Sequence, residues 1–137
     1  MTTDPERLLL DTHVLVWWLL DDRSLPRRHE RALEEAEEEG WNLHVSAITL
    51  WEIALLADRG RVRLPVAVDP FLARLESRLG LEILPLTARI AVEGQRLGPT
   101  FPRDQADRII AATARCHGLT LLTADEAIVK SRAVATR

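Results

Sequence analysis

The residues of this chain with the clearest chemical potential are carboxylates at particular places in the sequence. Asp11 directly follows an apolar run, Leu8 to Leu10, and Asp125 follows a second run that ends at Leu122. A short apolar run of this kind is typical of a strand buried on both faces. Functional groups of open α/β sheets lie beyond the carboxyl ends of the strands. Both aspartates are therefore predicted at one edge of a sheet, and capping of the next helix is the competing interpretation of Asp11.

Three further acids are predicted near the starts of helices. Glu52 lies in a helix that begins at Ser46, on a stripe of mostly apolar residues. Burial of a carboxylate there costs free energy unless a cation is close to it. Asp104 and Asp107 are three residues apart and share one face of the first turn of a later helix. Because the helices alternate with strands, we expect these acids to converge with the two strand-end aspartates.

A convergent set of carboxylates predicts a bound cation. Unit negative charges ~4 Å apart repel by roughly 4 kcal/mol at the effective dielectric of a protein site. Oxygen ligands without cysteine favour a hard divalent ion, Mg²⁺ or Mn²⁺. Such an ion activates a bound water and balances charge on the leaving oxygen of a phosphodiester. No P-loop, GxGxxG, HExxH or serine-elbow motif is present in the sequence to support a different chemistry.

The elements that must position these acids alternate between short strands and helices. Strands are predicted at residues 8–10, 43–45, 82–86 and 119–122, and helices at residues 12–20, 26–39, 46–57, 69–79, 87–97 and 104–117. This alternation predicts an α/β fold with a mostly parallel central sheet of four to five strands flanked by helices. The length suits one domain, which we expect to span residues 1–137.

Two helices carry residues with more than one interpretation. Trp17 and Trp18 in the first helix are expected in the core or in a subunit contact, with base stacking as the alternative. The second helix has three arginines near its start and five glutamates near its end, against the preference of the helix dipole. We interpret that helix as a solvated face, with a docking surface for a partner as the alternative.

Composition narrows the class of protein. A single cysteine excludes an intrachain disulfide and a cysteine zinc site. The longest apolar region, residues 8–20, is interrupted by polar residues and is too short for a membrane span, and no signal-peptide pattern precedes it. We therefore expect a cytoplasmic protein with no membrane partner. The net charge of −3 does not by itself indicate nucleic-acid binding, which usually uses a basic face.

Four segments together resemble the acidic blocks of PIN-domain proteins, and more narrowly those of the VapC toxins of toxin–antitoxin systems. The segments are Leu8-Leu9-Leu10-Asp11-Thr12-His13 with Trp17-Trp18, residues 46–56 with Glu52, Asp104-x-x-Asp107-Arg108-x-Ile110-Ala111-x-x-Ala114, and Thr123-Ala124-Asp125. They occur in the family's order and span almost the whole chain. The resemblance implies a metal-dependent endoribonuclease with an RNA substrate, usually a homodimer, inhibited by a small cognate antitoxin protein.

The resemblance also implies roles for individual acids. Asp11, Glu52 and Asp107 match the family's three principal acids, and Asp125 matches its more variable fourth. All four are expected to be catalytic metal ligands. Asp104 stays open between a helix cap, a group that supports the ligands, and a ligand itself.

Three hydroxyl side chains are predicted to support the metal ligands. Thr12 and Thr123 match polar residues that often help to hold the metal's water in this family. Ser46 is predicted to cap its helix and is assigned to the same supporting group.

Two rival functions remain open. The first is a PIN-like module that binds RNA or protein but cleaves weakly or not at all. The second is a phosphotransfer enzyme with Asp11 as its nucleophile, which is disfavoured because His13 stands where a second acid is usual.

Overall fold

The computed structural model describes residues 7–137 and is built around a parallel sheet. Its strands are β1 (Leu8–Leu10), β2 (Leu43–Ser46), β3 (Leu81–Leu84) and β4 (Thr120–Leu122), in the order β3-β2-β1-β4. Every neighbouring pair is parallel. This confirms the predicted α/β fold with a parallel central sheet flanked by helices. Strand β1 is central and β4 lies beside it, so the strands that precede Asp11 and Asp125 are neighbours.

Helices connect the strands and cover both faces of the sheet. In the described part of the chain they are α1 (Thr12–Leu19), α2 (Arg27–Glu39), α3 (Ala47–Asp58), α4 (Val68–Glu76), α5 (Ala88–Glu93), α6 (Gln105–His117) and α7 (Glu126–Ser131). Gly40 and Gly118 end α2 and α6 in the left-handed conformation, with φ of 71° and 64°, which a residue without a Cβ adopts readily.

Several predicted boundaries were wrong, and local hydrogen bonding explains them. Strand β3 ends at Leu84 because Pro85 has no N–H for the ladder. Helix α4 ends at Glu76, where the Ser77 hydroxyl bonds the carbonyls of the preceding turn. Helix α5 ends at Glu93 rather than near residue 97, and the carbonyl of Gly94 accepts a bond from the Arg108 side chain at 3.2 Å.

Helix α7 was not predicted. It has six residues and is capped by Asp125, whose Oδ1 accepts from the N–H groups of Ala127 at 2.9 Å and Ile128 at 3.3 Å. A helix this short has no apolar periodicity to reveal it, but an aspartate followed by Glu126 is a sequence signal for a helix start.

The core holds β1 rigidly between two apolar layers. Leu8 and Leu10 point into a cluster with residues of α1, α2 and α3, while Leu9 points into a second cluster with residues of α6, α7 and β4. This alternation follows the two-residue period of a strand. Burial of each leucine stabilises the fold by about 1.5–3 kcal/mol. The position of Asp11, one residue beyond β1, is therefore set by the centre of the core.

The last residues run beside the outer edge of β4. Leu121 donates its N–H to the carbonyl of Ala135 at 2.8 Å, and Arg137 donates to the carbonyl of Leu121 at 3.0 Å. His29 Nε2 lies 2.9 Å from the Arg137 carbonyl oxygen, a contact that needs a proton on Nε2. The segment thereby covers a sheet edge that would otherwise offer unpaired backbone groups.

None of the helices within residues 7–137 has the length and apolar character needed to cross a bilayer.

Candidate active site

A cleft lies at the carboxyl ends of β1 and β4. Asp11 follows β1 directly, and its N–H donates to the carbonyl of Leu122, the last residue of β4, at 3.0 Å. The cleft has a volume of about 350 Å³. Its lining includes all five acids singled out from the sequence, and its lining residues are Asp11, His13, Trp17, Glu52, Asp104, Asp107, Ala124 and Asp125. The structure thus brings the predicted acids together, and their roles as ligands stay predictions.

Asp11 both caps a helix and faces the cleft. Its Oδ1 accepts from the Thr12 N–H at 2.9 Å at the start of α1, and its Oδ2 accepts from the Thr123 hydroxyl at 2.7 Å. The side chain is buried, and this burial raises the pKa of the Asp11 carboxyl above its ordinary value. Capping and a metal-facing role are therefore compatible at this residue.

Glu52 is held by a pair of threonines. The Thr12 hydroxyl donates to Glu52 Oε1 at 2.5 Å and lies 3.0 Å from the Thr49 hydroxyl. Because Thr12 has one hydroxyl proton, Thr49 must be the donor in the second contact. Glu52 is half-buried, and burial, followed by the charges of Asp11 and Asp104, raises the pKa of its carboxyl.

Asp104 and Asp107 occupy different environments although both line the cleft. Asp104 is exposed, and its Oδ1 caps α6 by accepting from the Asp107 N–H at 3.0 Å. Asp107 is half-buried. Burial, with the added charges of the other four cleft acids, raises the pKa of Asp107 to about 7. The geometry therefore gives Asp104 a capping role and gives Asp107 a partly buried negative charge that a cation would stabilise.

The neighbouring arginine does not supply that cation. Arg108 directs its guanidinium to the carbonyls of Gly94 at 3.2 Å and Phe101 at 3.4 Å, and it lies 5.8 Å from the centre of the Phe101 ring. These contacts fasten the start of α6 to the loop before it. Arg108 is thus a structural anchor for Asp107.

Thr123 links the two strand-end aspartates. Its buried hydroxyl donates to Asp11 Oδ2 and accepts from the Asp125 N–H at 3.1 Å. Asp125 itself is exposed at the rim of the cleft, where it caps α7. Thr123 therefore fixes one carboxylate directly and the backbone of the other.

Ser46 caps its helix, and its predicted support of the ligands stays a prediction. Its hydroxyl accepts from the Ile48 N–H at 3.3 Å as the cap of α3, which confirms the predicted cap, but Ser46 is not part of the cleft lining. Three positions near the acids were not predicted as site residues, namely His13, Thr49 and Trp17, although base stacking was the alternative interpretation of Trp17. The spacing of His13 and Trp17, four residues apart on the helix that Asp11 caps, was the available signal.

A family comparison covers the part of the chain that holds these acids. Residues 8–133 match the model of the PIN domain. The chain belongs to the PIN-domain family. Nucleases of this family generally depend on a divalent metal ion.

Individual relatives place the chain within the PIN-domain family. It is 35% identical to Ribonuclease VapC22 of Mycobacterium tuberculosis over 125 residues, which are 91% of this chain and 92% of that one. This identity places it in the VapC group. Its structure is similar to FitAcB from Neisseria gonorrhoeae, with a TM-score of 0.64, 27% identity and coverage of 94% and 95% of the two chains.

A second solved structure agrees with the fold. This is VapBC2 from Rickettsia felis bound to a DNA fragment from its promoter, with a TM-score of 0.66, 20% identity and coverage of 95% of this chain and 96% of that one.

The donor set of the PIN-domain cleft fits a hard divalent cation. It consists of carboxylate oxygens, three of which belong to groups whose pKa is raised. Within residues 7–137, no three His, Cys, Asp or Glu side chains are close enough to one another to hold an ion. Coordination by three of the acids therefore requires side-chain movement. Glu52, which is held by Thr12, is the acid with the longest side chain to move.

The raised pKa values predict an unusual pH dependence of metal-free stability. Between about pH 4 and about pH 7, the folded state binds more protons than the unfolded state because Asp107 titrates near 7. The free energy of unfolding contributed by this group therefore falls as pH rises through that window. Urea unfolding in EDTA should show a steeper fall for the wild type than for Asp107→Asn.

The wild type must be compared with Asp107→Asn because buried His29 changes the free energy of unfolding with pH in the opposite direction. Burial lowers the pKa of His29, so its contribution to stability rises with pH. Identical pH slopes for the wild type and Asp107→Asn would contradict the proposed environment of Asp107.

Proposed function

We propose that this protein is a metal-dependent endoribonuclease that cleaves RNA phosphodiesters and acts as the toxin of a toxin–antitoxin pair. The observation that carries the proposal is the convergence of Asp11, Glu52 and Asp107 on one cleft at the carboxyl edge of a PIN-domain sheet. The identity with Ribonuclease VapC22 supports RNA as the substrate.

Asp11, Glu52 and Asp107 would hold the ion, with Asp125 as a fourth ligand at the rim. We propose Mg²⁺ or Mn²⁺, because both prefer a few carboxylates with waters in the remaining positions. When bound, such an ion supplies Lewis acidity that lowers the pKa of water and balances negative charge on phosphate oxygens. Asp104 contributes by capping α6 and by adding negative charge beside Asp107.

Two threonines beside the cleft bond these acids. The Thr123 hydroxyl holds one oxygen of Asp11, and the Thr12 N–H holds the other. The Thr12 hydroxyl donates to Oε1 of Glu52. Partners of this kind set the orientation of ligating groups and commonly change metal affinity or activity by about 10–100-fold when removed. The two threonines are therefore positioning residues.

The charge of the cleft makes the ion necessary for substrate approach as well as for chemistry. Five carboxylates line the cleft, and Arg108 is turned away from it. An RNA phosphate would meet repulsion there in the absence of a cation. We therefore expect productive RNA binding to require the metal.

Cleavage of RNA by purified protein tests this function. We expect endonucleolytic cleavage of end-labelled single-stranded RNA with Mg²⁺ or Mn²⁺, and loss of cleavage with EDTA. Glu52→Gln should lose activity because it removes a ligand charge while keeping the side-chain size. Glu76→Gln, on the exposed face of α4, is the matched control and should cleave like the wild type.

Failure of the wild type to cleave RNA with either ion would overturn the nuclease proposal. If the folded protein then still bound RNA, the rival function of a binding module would be favoured. That function predicts binding that Glu52→Gln leaves intact.

We also propose a small cognate antitoxin as protein partner and a homodimer as the assembly. The VapC group supports the first of these. The homodimer is supported by exposed apolar side chains at α5. Leu86, just before this helix, is 50% exposed, and Val92, within it, is 49% exposed, which leaves apolar surface for a second copy. The RNA substrate and the antitoxin of this proposal are cytoplasmic, so we propose the cytoplasm as the place of action.

A further inference from the structure

One wall of the active-site cleft consists of rings rather than carboxylates. His13 and Trp17 line the cleft together with the five acids. They are four residues apart on α1, and their ring centroids are 5.8 Å apart with an angle of 51° between the rings. Residues at this spacing share one face of a helix, so the wall extends from the capping Asp11 along α1 by about 9 Å to Trp17.

Trp17 is placed differently from its neighbour Trp18. Trp18 packs against the apolar core beside β1, and the guanidinium of Arg78 lies 4.9 Å from the centre of its ring. Trp17 belongs to neither apolar cluster of the described residues and is only partly buried. Core packing therefore explains Trp18 and leaves the position of Trp17 unexplained.

We propose that Trp17 is a base-stacking residue, which binds an unpaired base of the RNA beside the scissile phosphate. The inference rests on the proposed nuclease function and adds to it a residue that would bind a base of the RNA substrate. The acids hold the ion at the phosphate, and Trp17 lies in the same cleft. A base attached next to that phosphate can reach the indole.

An indole can bind an RNA base without carrying a charge. The acidic walls of the cleft repel the phosphate backbone, so electrostatic attraction by the protein contributes little to substrate affinity in this place. Stacking of a base on an aromatic ring does not depend on the sign of the surrounding charge, and it requires a base that is not paired in a duplex. The tilted His13 ring supports the indole from the side.

The test combines variants of the protein with variants of the RNA. The substrate is a short single-stranded RNA whose cleavage site has first been mapped with the wild-type protein. Abasic nucleotides are then placed one at a time on either side of that site. We expect one flanking abasic position to raise the wild-type KM by about 5- to 150-fold, the range expected for loss of one stacked base, with little change in kcat.

Substitutions of Trp17 complete the test. Trp17→Leu should raise KM for the intact RNA by a similar factor and should remove the effect of the abasic position, whereas Trp17→Phe should retain most of both. Trp51→Leu, which changes an indole 60% exposed on α3 outside the cleft lining, is the matched control and should leave KM unchanged.

Two outcomes would overturn the inference while leaving the nuclease function in place. The first is an abasic series that leaves the wild-type KM unchanged at every flanking position, a result that does not depend on whether any variant folds. The second is a Trp17→Leu protein that cleaves intact RNA like the wild type. In either case, a protein partner that stacks an arginine on the indole becomes the better explanation of its exposure.

Discussion

RNA cleavage by Asp11→Asn is expected to fall at least about 10³-fold below that of the wild type, because several kcal/mol of metal-dependent stabilisation of the transition state are lost. The same substitution is expected to leave the metal-free free energy of unfolding unchanged or to raise it. Single-turnover cleavage assays and urea unfolding in EDTA measure the two effects on the same preparation.

The two effects differ because the charged Asp11 carboxylate destabilises the metal-free protein. Its burial raises the pKa of the carboxyl, which means that the charged form is destabilised in the metal-free protein. Asparagine keeps the cap, since its Oδ1 can still accept from the Thr12 N–H. The Thr123 hydroxyl, which now donates to Asp11, can turn to accept from the new amide.

A matched control separates the site from general charge effects. Asp58→Asn changes an exposed acid at the end of α3 and should alter neither cleavage nor stability. If Asp11→Asn instead strongly destabilises the metal-free protein, Asp11 is mainly structural, and the loss of activity says nothing about metal ligation.

The second large effect is a difference between two neighbouring aspartates. Asp107→Asn is expected to reduce cleavage by about 10²–10³-fold, since it removes a ligand charge. Asp104→Asn is expected to reduce cleavage by less than about tenfold, because asparagine caps a helix as well as aspartate does. The pair is its own control, since both changes remove one negative charge from the same turn of α6.

Titration with Mn²⁺ tests the roles of Asp104 and Asp107 independently of RNA cleavage. Asp107→Asn should weaken Mn²⁺ binding far more than Asp104→Asn does. Equal losses in cleavage and in Mn²⁺ binding would show that both acids are ligands, and a larger loss for Asp104→Asn would contradict the assignment of the ligand to Asp107.

The sheet and the convergence of acids were predictable because they depend on patterns that are local in sequence. The apolar runs before Asp11 and Asp125 indicate buried strands, and parallel pairing then brings both residues to one edge. Glu52 stands out because a carboxylate interrupts an apolar stripe. No knowledge of side-chain contacts is needed for these inferences.

Other features of the site could not be predicted because they depend on contacts between distant residues. The bond from Thr123 to Asp11 joins residues 112 positions apart, and the bond from Thr12 to Glu52 joins residues 40 apart. The difference between Asp104 and Asp107 is one of burial, which the first turn of a helix does not reveal. The placement of Trp17 outside the core, beside a packed Trp18, depends on how α1 lies against the sheet.

The proposed metal site gives a reason for carboxylates that the fold alone does not need. Three carboxylates have raised pKa values there, while Arg108, the cation nearest in sequence to Asp107, serves the loop before α6. We expect replacement of these acids with neutral residues to raise the free energy of unfolding of the metal-free protein. Their arrangement is therefore better explained by metal binding than by stability.

Anomalous diffraction from crystals containing Mn²⁺ tests metal binding by these acids most directly. We expect an anomalous peak in the cleft within coordination distance of carboxylate oxygens of Asp11 and Asp107, with Glu52 turned towards the ion. The peak should be absent from Asp11→Asn crystals grown in the same way. A wild-type cleft without a peak, at a Mn²⁺ concentration that supports RNA cleavage in solution, would contradict the proposed metal site.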